Sequence, residues 1–197
     1  MGRGSIIGIA IIIVVAMFGF YGCNKRNGFI EMREEVKKQW HQVENQYQRR
    51  LDLIPNIVST VEAEANFEKS TLTAVVEARS KATQVKVDVD NLDEASINKF
   101  KAAQSDLSSA LSRLLMVTEN YPNLKSSAAF SELRVELEGC ENRISTERMR
   151  YNDACKEFNT AIQKIPGSFF AWGFTQSPYF EAEVGAENAP KVKFDIK

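Results

Sequence analysis

The amino-acid sequence predicts an all-α protein: a long antiparallel up-and-down bundle of three to four helices, preceded by one N-terminal transmembrane helix. Three observations predict this class. Residues 4–24 carry no charged side chain, three later segments place apolar residues three or four positions apart, and short turns separate those segments. The predicted divisions are an anchor at residues 1–26, the bundle at 27–167, and an aromatic segment with an extended tail at 168–197.

The N-terminal segment reads GSIIGIAIIIVVAMFGFYGC, which is twenty uncharged residues at positions 4–23. That length spans about 30 Å of hydrocarbon. A cleaved signal has a shorter apolar core and a cleavage site of small residues, and neither is present. N-myristoylation is excluded because Ile6 stands where serine or threonine is required. We therefore expect a retained anchor, formed by Ile6, Ile7, Ile9, Ile11, Ile12, Ile13, Val14, Val15, Phe18, Phe20 and Tyr21.

A lipoprotein anchored at Cys23 is the alternative to a retained helix. Gly22, directly before this cysteine, suits a lipid-attachment site. Phe20 and Tyr21 do not suit it, because they are bulkier than the leucine and the small residue expected at those positions. The retained helix is therefore the favoured interpretation.

The basic residues around the anchor predict its orientation. Positive charge prefers the cytoplasmic side of a membrane, so we expect a single-pass protein of the cell (inner) membrane, with a short N-terminus outside and the bundle in the cytoplasm. Cys140 and Cys155 agree with a reducing compartment, because 15 residues of helix separate their Cα atoms by roughly 22 Å, too far for a disulfide. Arg3 lies on one side of the anchor, and Lys25, Arg26, Arg33, Lys37 and Lys38 lie on the other.

Three periodic segments predict the bundle helices, at residues 29–86, 94–119 and 127–165. The first segment contains Pro55, whose missing N–H and bulky ring predict a kink or a break, so it forms one helix or two. The third has 39 residues, which makes the bundle a rod of roughly 55–60 Å.

The connections carry their own signals. Residues 85–96 suit a connection in which Asn91 or Asp93 caps the next helix, and Ser126 or Ser127 is the candidate cap of the last one. Gly139, inside the last helix, suggests a packing notch for another backbone.

Residues 168–180, SFFAWGFTQSPYF, hold six aromatic residues and no charge. The favoured interpretation is that they close one end of the bundle, and the alternative is that they dip into a membrane interface. Beyond them, Val192, Phe194 and Ile196 alternate with charged residues, which predicts an extended tail that lies along the bundle or pairs with another subunit. The candidate membrane or partner contacts are Phe169, Phe170, Trp172, Phe174, Tyr179 and Phe180.

Two polar clusters interrupt the apolar seams. One surrounds Pro55 and the other lies midway along the last helix, so we expect them to meet across the bundle and to satisfy carbonyl groups that the proline leaves free. Such networks contribute register and specificity more than stability. The predicted members are Arg50, Asp52, Asn56, Glu141, Asn142 and Arg143.

The sequence contains no enzymatic signature. It has no nucleophile elbow, phosphate-binding loop or dinucleotide fingerprint, and His41 is the single histidine, without CxxC or HExxH spacing around it. We therefore predict no catalytic residue, no metal ligand and no cofactor. The formal net charge of −1 also argues against nucleic acid as a partner.

Four motifs, RRLDLIPN, ENYPNL, ELEGCENRI and YFEAE, occur in the stretches 39–61, 118–167 and 178–194. Together these stretches resemble the LemA family of bacterial proteins. The resemblance implies a membrane helix that carries an antiparallel helical bundle, often with a short extracellular N-terminus. It implies no catalytic residue and no established molecular function.

The expected function is therefore that of a non-enzymatic, membrane-anchored helical bundle that self-associates and organises or shapes the membrane. Its expected partners are the lipid bilayer and further copies of itself. The alternative is an accessory interaction module that docks another membrane protein, such as a protease, sensor or transporter. A small ligand bound near Pro55 is the least favoured reading, because narrow apolar seams leave little room for a pocket.

Overall fold

The structure, a computed structural model, describes residues 3–64 and 66–181; it describes no side chain for Ile6, and Val192, Phe194 and Ile196 of the tail lie outside the described residues. The described part is all-α, as predicted. Its helices are α1 (Arg3–Glu62), α2 (Lys69–Gln84), α3 (Glu94–Thr118), α4 (Pro122–Lys125) and α5 (Ala128–Gln163), followed by a 3₁₀ turn at Gly167–Phe170.

Helix α1 joins the apolar N-terminal segment to the bundle without interruption. Its 60 residues correspond to about 90 Å. The helix is not broken at Pro55; the chain leaves it only after Glu62 and enters α2 at Lys69. Pro55 has no N–H for the carbonyl oxygen of Leu51, but Arg79 Nε of α2 donates to that oxygen at 3.0 Å. A neighbouring helix thus supplies the hydrogen bond that the proline removes.

This replacement predicts a coupling between Pro55 and Arg79. Arg79→Met is expected to lower the free energy of unfolding by about 1 kcal/mol, because the Leu51 carbonyl then lacks a donor. The same substitution in a Pro55→Ala background is expected to cost close to nothing, because the N–H of alanine bonds the carbonyl from within α1. Chemical denaturation of the four proteins measures the coupling. Equal costs of Arg79→Met in both backgrounds would contradict this coupling.

Helices α2 and α3 pack against each other as an antiparallel hairpin, and the connection between them is non-helical, as predicted. Asp93 is the N-cap of α3, where its carboxylate accepts from the backbone N–H and the hydroxyl of Ser96, which lowers the pKa of Asp93. Asp90 fixes the connection to α1, since Lys37 Nζ donates to its carboxylate at 2.8 Å and Arg33 donates to its carbonyl at 3.2 Å.

Helix α5 packs along α1 over most of its length. Ser127 is its N-cap, with the hydroxyl accepting from the backbone N–H of Phe130. The core forms two clusters: one, nearer the N-terminal segment, around Trp40, Phe100 and Tyr151, and another, at the far end, around Ile54, Leu107 and Leu114.

Gly139 is not a packing notch. A Cβ atom built there would meet only the side chain of Arg143, at 3.4 Å, and no other backbone. The close approaches occur instead at Gly22 and Gly167, where a Cβ atom would lie 2.6 Å from the Phe170 ring and 2.5 Å from the carbonyl oxygen of Ala161.

Candidate functional site: the exposed apolar stretch of α1 and the groove of α5

The N-terminal third of α1 presents apolar side chains that touch almost nothing. Isoleucines, valines and phenylalanines between positions 7 and 20 are exposed, although a soluble bundle would bury such residues. Among the residues that the structure describes, α1 alone is both long enough and apolar enough to cross a membrane, by length and composition. The predicted anchor residues whose side chains the structure describes therefore lie together on one exposed stretch of helix.

The 3₁₀ turn after α5 packs against α1 where this stretch ends. The ring of Phe170 lies over Gly22, and its centroid is 5.2 Å from that of Phe18 and 5.9 Å from that of Tyr21. Only glycine leaves room for the ring at position 22. The end of the apolar stretch is thereby fixed to the bundle.

Arg26 holds the loop that follows this turn. Its Nη1 donates to the carbonyl oxygen of Trp172 at 3.0 Å, and its guanidinium lies 4.5 Å from the Trp172 ring and 5.2 Å from the Phe174 ring. Such cation–π contacts stabilise a loop without burying the cation. Phe174 itself packs against Phe29 and Phe158 in the core.

The six aromatic residues singled out from the sequence do not share one role. Phe180 is buried in the core, and Phe170 and Phe174 pack against the bundle and are partly buried. Tyr179 is exposed, but it lines a depression with Leu92 and the start of α3, away from the apolar stretch. Phe169 and Trp172, the latter 73% exposed, remain uncovered beside the end of the apolar stretch. We call Phe18, Phe20, Tyr21, Phe169 and Trp172 the aromatic collar.

Residues 175–181, which we call the strap, run back along α5 after the collar. Asn159 accepts from the N–H of Ser177 and donates to its carbonyl, both at 2.8 Å. Asn152 holds the N–H and carbonyl of Phe180 in the same way, at 2.7 and 2.9 Å. Both asparagines therefore hold the strap by its main-chain atoms, while the Phe180 side chain of the strap is buried in the core.

Three further side chains of α5 complete this groove. Tyr151 OH donates to the carbonyl of Pro178 at 2.8 Å, Cys155 Sγ lies 3.6 Å from the same oxygen, and Arg148 donates to the carbonyl of Glu181. Burial raises the pKa of Cys155 to about 11, which keeps the thiol protonated as a donor. The sequence reasoning missed this groove. The available signal was a pair of asparagines seven residues apart on one face of α5.

Arg50 is the buried charge of the bundle, with 1% of its surface exposed. Its Nη1 donates to Glu141 Oε1 at 2.6 Å and to Ser108 Oγ at 2.8 Å, while Nη2 donates to Gln104 Oε1 at 2.6 Å. The structure thus brings together Arg50 and Glu141 of the expected network and adds two residues of α3. Gln104, a polar residue in the apolar series of that helix, was the signal for this contribution.

The other four expected members lie outside this network. Asp52 is exposed and accepts from Gln48 one turn earlier, and the carbonyl of Asn56 accepts from Ser59 and Thr60 within α1. These groups face water because their positions on α1 point away from α3 and α5. Asn142 and Arg143, which follow Glu141 on α5, are also exposed.

No group of three His, Cys, Asp or Glu side chains suited to a metal ion occurs in residues 3–64 and 66–181. His41 lies on the exposed face of α1, with Nδ1 at 3.1 Å from Glu44.

Comparisons with known proteins place this chain among relatives from several bacteria. The chain is 27% identical to Magnetosome protein MamQ 2 of Paramagnetospirillum magneticum, over 92% of this chain and 74% of that protein. It is 24% identical to Magnetosome protein MamQ of Magnetospirillum gryphiswaldense, over 91% and 74%. It is 23% identical to Protein LemA of Metamycoplasma hominis, over 77% and 65%. The family model described as LemA family matches residues 39–194. The chain therefore belongs to the LemA family.

Proposed function

We propose that this chain is a non-enzymatic, membrane-anchored helical rod that self-associates and organises or shapes the bilayer. One observation carries the proposal: the exposed apolar stretch is the first part of α1, and the same unbroken helix continues into the bundle, where it buries residues such as Trp40 and Ile54. A bilayer is the environment that covers such a stretch. The aromatic collar then lies at the interface, where tryptophan and tyrosine are enriched in membrane proteins.

The contacts of Phe170 support retention of the anchor over lipid attachment at Cys23. Processing to a lipoprotein would remove Phe18, Tyr21 and Gly22, the three residues against which that ring packs. Lys25 and Arg26 directly follow this contact in the sequence. Because positive charge near a membrane helix favours the cytoplasmic side, these residues support a bundle in the cytoplasm.

One observation supports self-association. Gly4 and Gly8 lie one turn apart on the apolar stretch, and a Cβ atom at either position would meet nothing within 4 Å. This GxxxG spacing allows two membrane helices to approach closely.

The position of the collar is tested by tryptophan fluorescence, since Trp40 and Trp172 are the only two tryptophans in the sequence. In reconstituted vesicles, lipids brominated near the headgroups are expected to quench Trp172 strongly. They are expected to spare Trp40, which lies about 27 Å along α1 from Gly22. A Trp172→Phe variant isolates the Trp40 signal, and a Trp40→Phe variant isolates that of Trp172. Unquenched Trp172 would contradict the interfacial collar.

Self-association is tested by crosslinking the full-length chain in native membranes. A ladder at multiples of the chain mass is expected, and the Gly4→Leu/Gly8→Leu variant is expected to weaken it. Ala10→Leu, on the opposite face of the helix, is the matched control. A monomer by light scattering at high concentration in detergent would refute self-association. A single crosslink to a foreign protein would instead favour the accessory-module alternative.

A further inference from the structure

A small polar pocket of about 60 Å³ lies between α1, α3, α5 and the strap. It is distinct from the apolar stretch and from the collar, and the proposed anchoring function makes no use of it. Phe180 of the strap closes one side. Its polar lining consists mainly of Arg50, Lys101, Ser105, Ser108, Glu141 and Arg148.

The pocket carries an excess of positive charge. Three cationic side chains, Arg50, Lys101 and Arg148, face a single carboxylate, that of Glu141, which is paired with Arg50. Among the described residues, neither Lys101 nor Arg148 has an ion-pair partner; each lies against the ring of Phe180, at 5.8 and 4.2 Å. A ligand that brings negative charge into this pocket therefore gains Coulombic energy in a partly desolvated place.

The pocket also contains hydrogen-bond donors that the described protein does not fully use. Arg50 Nε is buried and has no acceptor within the described residues. Guanidinium, ammonium and serine hydroxyl groups are the donors that proteins use for oxyanions. The volume exceeds the roughly 10–15 Å³ that one water molecule requires, yet lies far below the roughly 300 Å³ of pockets for larger organic ligands.

We propose that this pocket binds a small oxyanion of the phosphate class. The ion would accept hydrogen bonds from Lys101, Arg148 and the serine hydroxyl groups. Its negative charge would balance the positive charge of the pocket that the single carboxylate of Glu141 does not neutralise. Because Arg148 also donates to the carbonyl of Glu181 and stacks on Phe180, the bound ion would hold the strap in its groove.

The source of the ion is the solution and not the anchoring bilayer. Arg50 follows Gly22 by 28 residues of uninterrupted helix, which corresponds to about 42 Å. A lipid headgroup at the level of the collar cannot cover that distance.

Isothermal titration of the full-length protein in neutral detergent with inorganic phosphate tests the proposal, with chloride at equal ionic strength as the reference. Saturable binding of one ion per chain is expected. Lys101→Gln and Arg148→Gln are each expected to weaken binding about tenfold, the loss of one charge-assisted hydrogen bond. Glu141→Gln is expected to tighten it, because the competing carboxylate is gone. Arg143→Gln, exposed and outside the pocket, is the matched control.

Two results would overturn the oxyanion site. One is the absence of saturable heat up to about 10 mM phosphate with protein whose circular dichroism shows the native helix content. The other is an unchanged affinity in Lys101→Gln and Arg148→Gln relative to Arg143→Gln. If one pocket variant does not fold, the other and Glu141→Gln still decide between these outcomes.

Discussion

Glu141→Ala is expected to lower the free energy of unfolding by about 3 kcal/mol, although Glu141 itself is 45% exposed at its side chain. The reason is its partner. Arg50 is almost completely buried, and without Glu141 its guanidinium keeps only the uncharged acceptors Ser108 and Gln104. An unbalanced charge in the interior is costly, whereas a carboxylate that reaches water is not.

The same reasoning predicts an asymmetry within the pair. Arg50→Met is expected to lower the free energy of unfolding by about 2 kcal/mol, because the Gln104 amide oxygen loses its hydrogen-bond donor. The cost is smaller than for Glu141→Ala because no unpaired charge is left in the interior. Combining Arg50→Met with Glu141→Ala is expected to cost less than the two single changes together. Chemical denaturation in detergent micelles, followed by circular dichroism, measures all three.

Glu138→Ala is the matched control for the pair. Glu138 lies one turn before Glu141 on α5 and forms a surface ion pair with Arg134 at 3.1 Å. Its removal is expected to change stability by no more than about 0.5 kcal/mol. Should Glu141→Ala cost no more than Glu138→Ala, the buried charge of Arg50 would not need its partner, and the predicted dependence of Arg50 on Glu141 would be wrong.

Trp40→Ala is expected to be the most damaging single substitution in the cluster nearer the collar, at about 3–5 kcal/mol. Trp40 is fully buried, and its ring contacts Phe100 at 5.5 Å and Tyr151 at 5.3 Å between centroids. Phe180 of the strap lies at 6.3 Å. The cavity would therefore open between three helices and the strap at once, and thermal or chemical unfolding in micelles would report it.

Trp40→Phe separates the volume of this side chain from its polarity. The indole Nε1 of Trp40 is buried and finds no acceptor in the described part of the chain, so phenylalanine removes a desolvated donor while it keeps most of the packing. We expect a cost below about 1.5 kcal/mol. A loss as large as that of Trp40→Ala would mean that the indole donor is satisfied and contributes to the fold.

Helices α3 and α5 were predictable because their own residues specify them. Ile97, Leu107 and Leu114 recur on one face of α3, and all three are buried. The ends were equally local: Asp93 and Ser127 cap their helices with side chains that bond a backbone N–H three residues on. Periodicity and caps are short-range properties, and a sequence displays them directly.

Pro55 shows why other features were not predictable. The missing hydrogen bond is local, but the donor that replaces it, Arg79, belongs to another helix. Likewise Arg50 and Glu141 were expected to meet, yet Gln104 and Ser108 were not expected to join them. The spacing of residues along one helix shows which side of that helix is buried. Which side chains of the neighbouring helix lie opposite depends on how far the two helices are shifted along their axes, and the spacing does not show this.

The strap was missed for a related reason. Its main-chain atoms bind Asn152 and Asn159, and such contacts require no particular side chain in the strap. Phe180 alone, which is buried in the core, marks the contact in the strap's own sequence. For the aromatic residues the prediction was too uniform, because six aromatic residues close together in the sequence suggested one shared role. The structure separates them according to whether each ring faces the bundle or the end of the apolar stretch, which is a matter of loop geometry.

The unbroken course of α1 has a mechanical consequence. About 40 residues of it, or about 60 Å, extend from Gly22 to Glu62. Because α1 has no hinge at the level of the collar and Phe170 packs against Gly22, the bundle would follow any inclination of the N-terminal stretch in the proposed membrane-anchored arrangement. An inclination of about 20°, the average for membrane helices, carries the far end of the rod sideways by about 20 Å. A thinner bilayer increases the inclination, so in the proposed membrane-anchored arrangement the bilayer thickness would set how far sideways the far end of the rod is displaced.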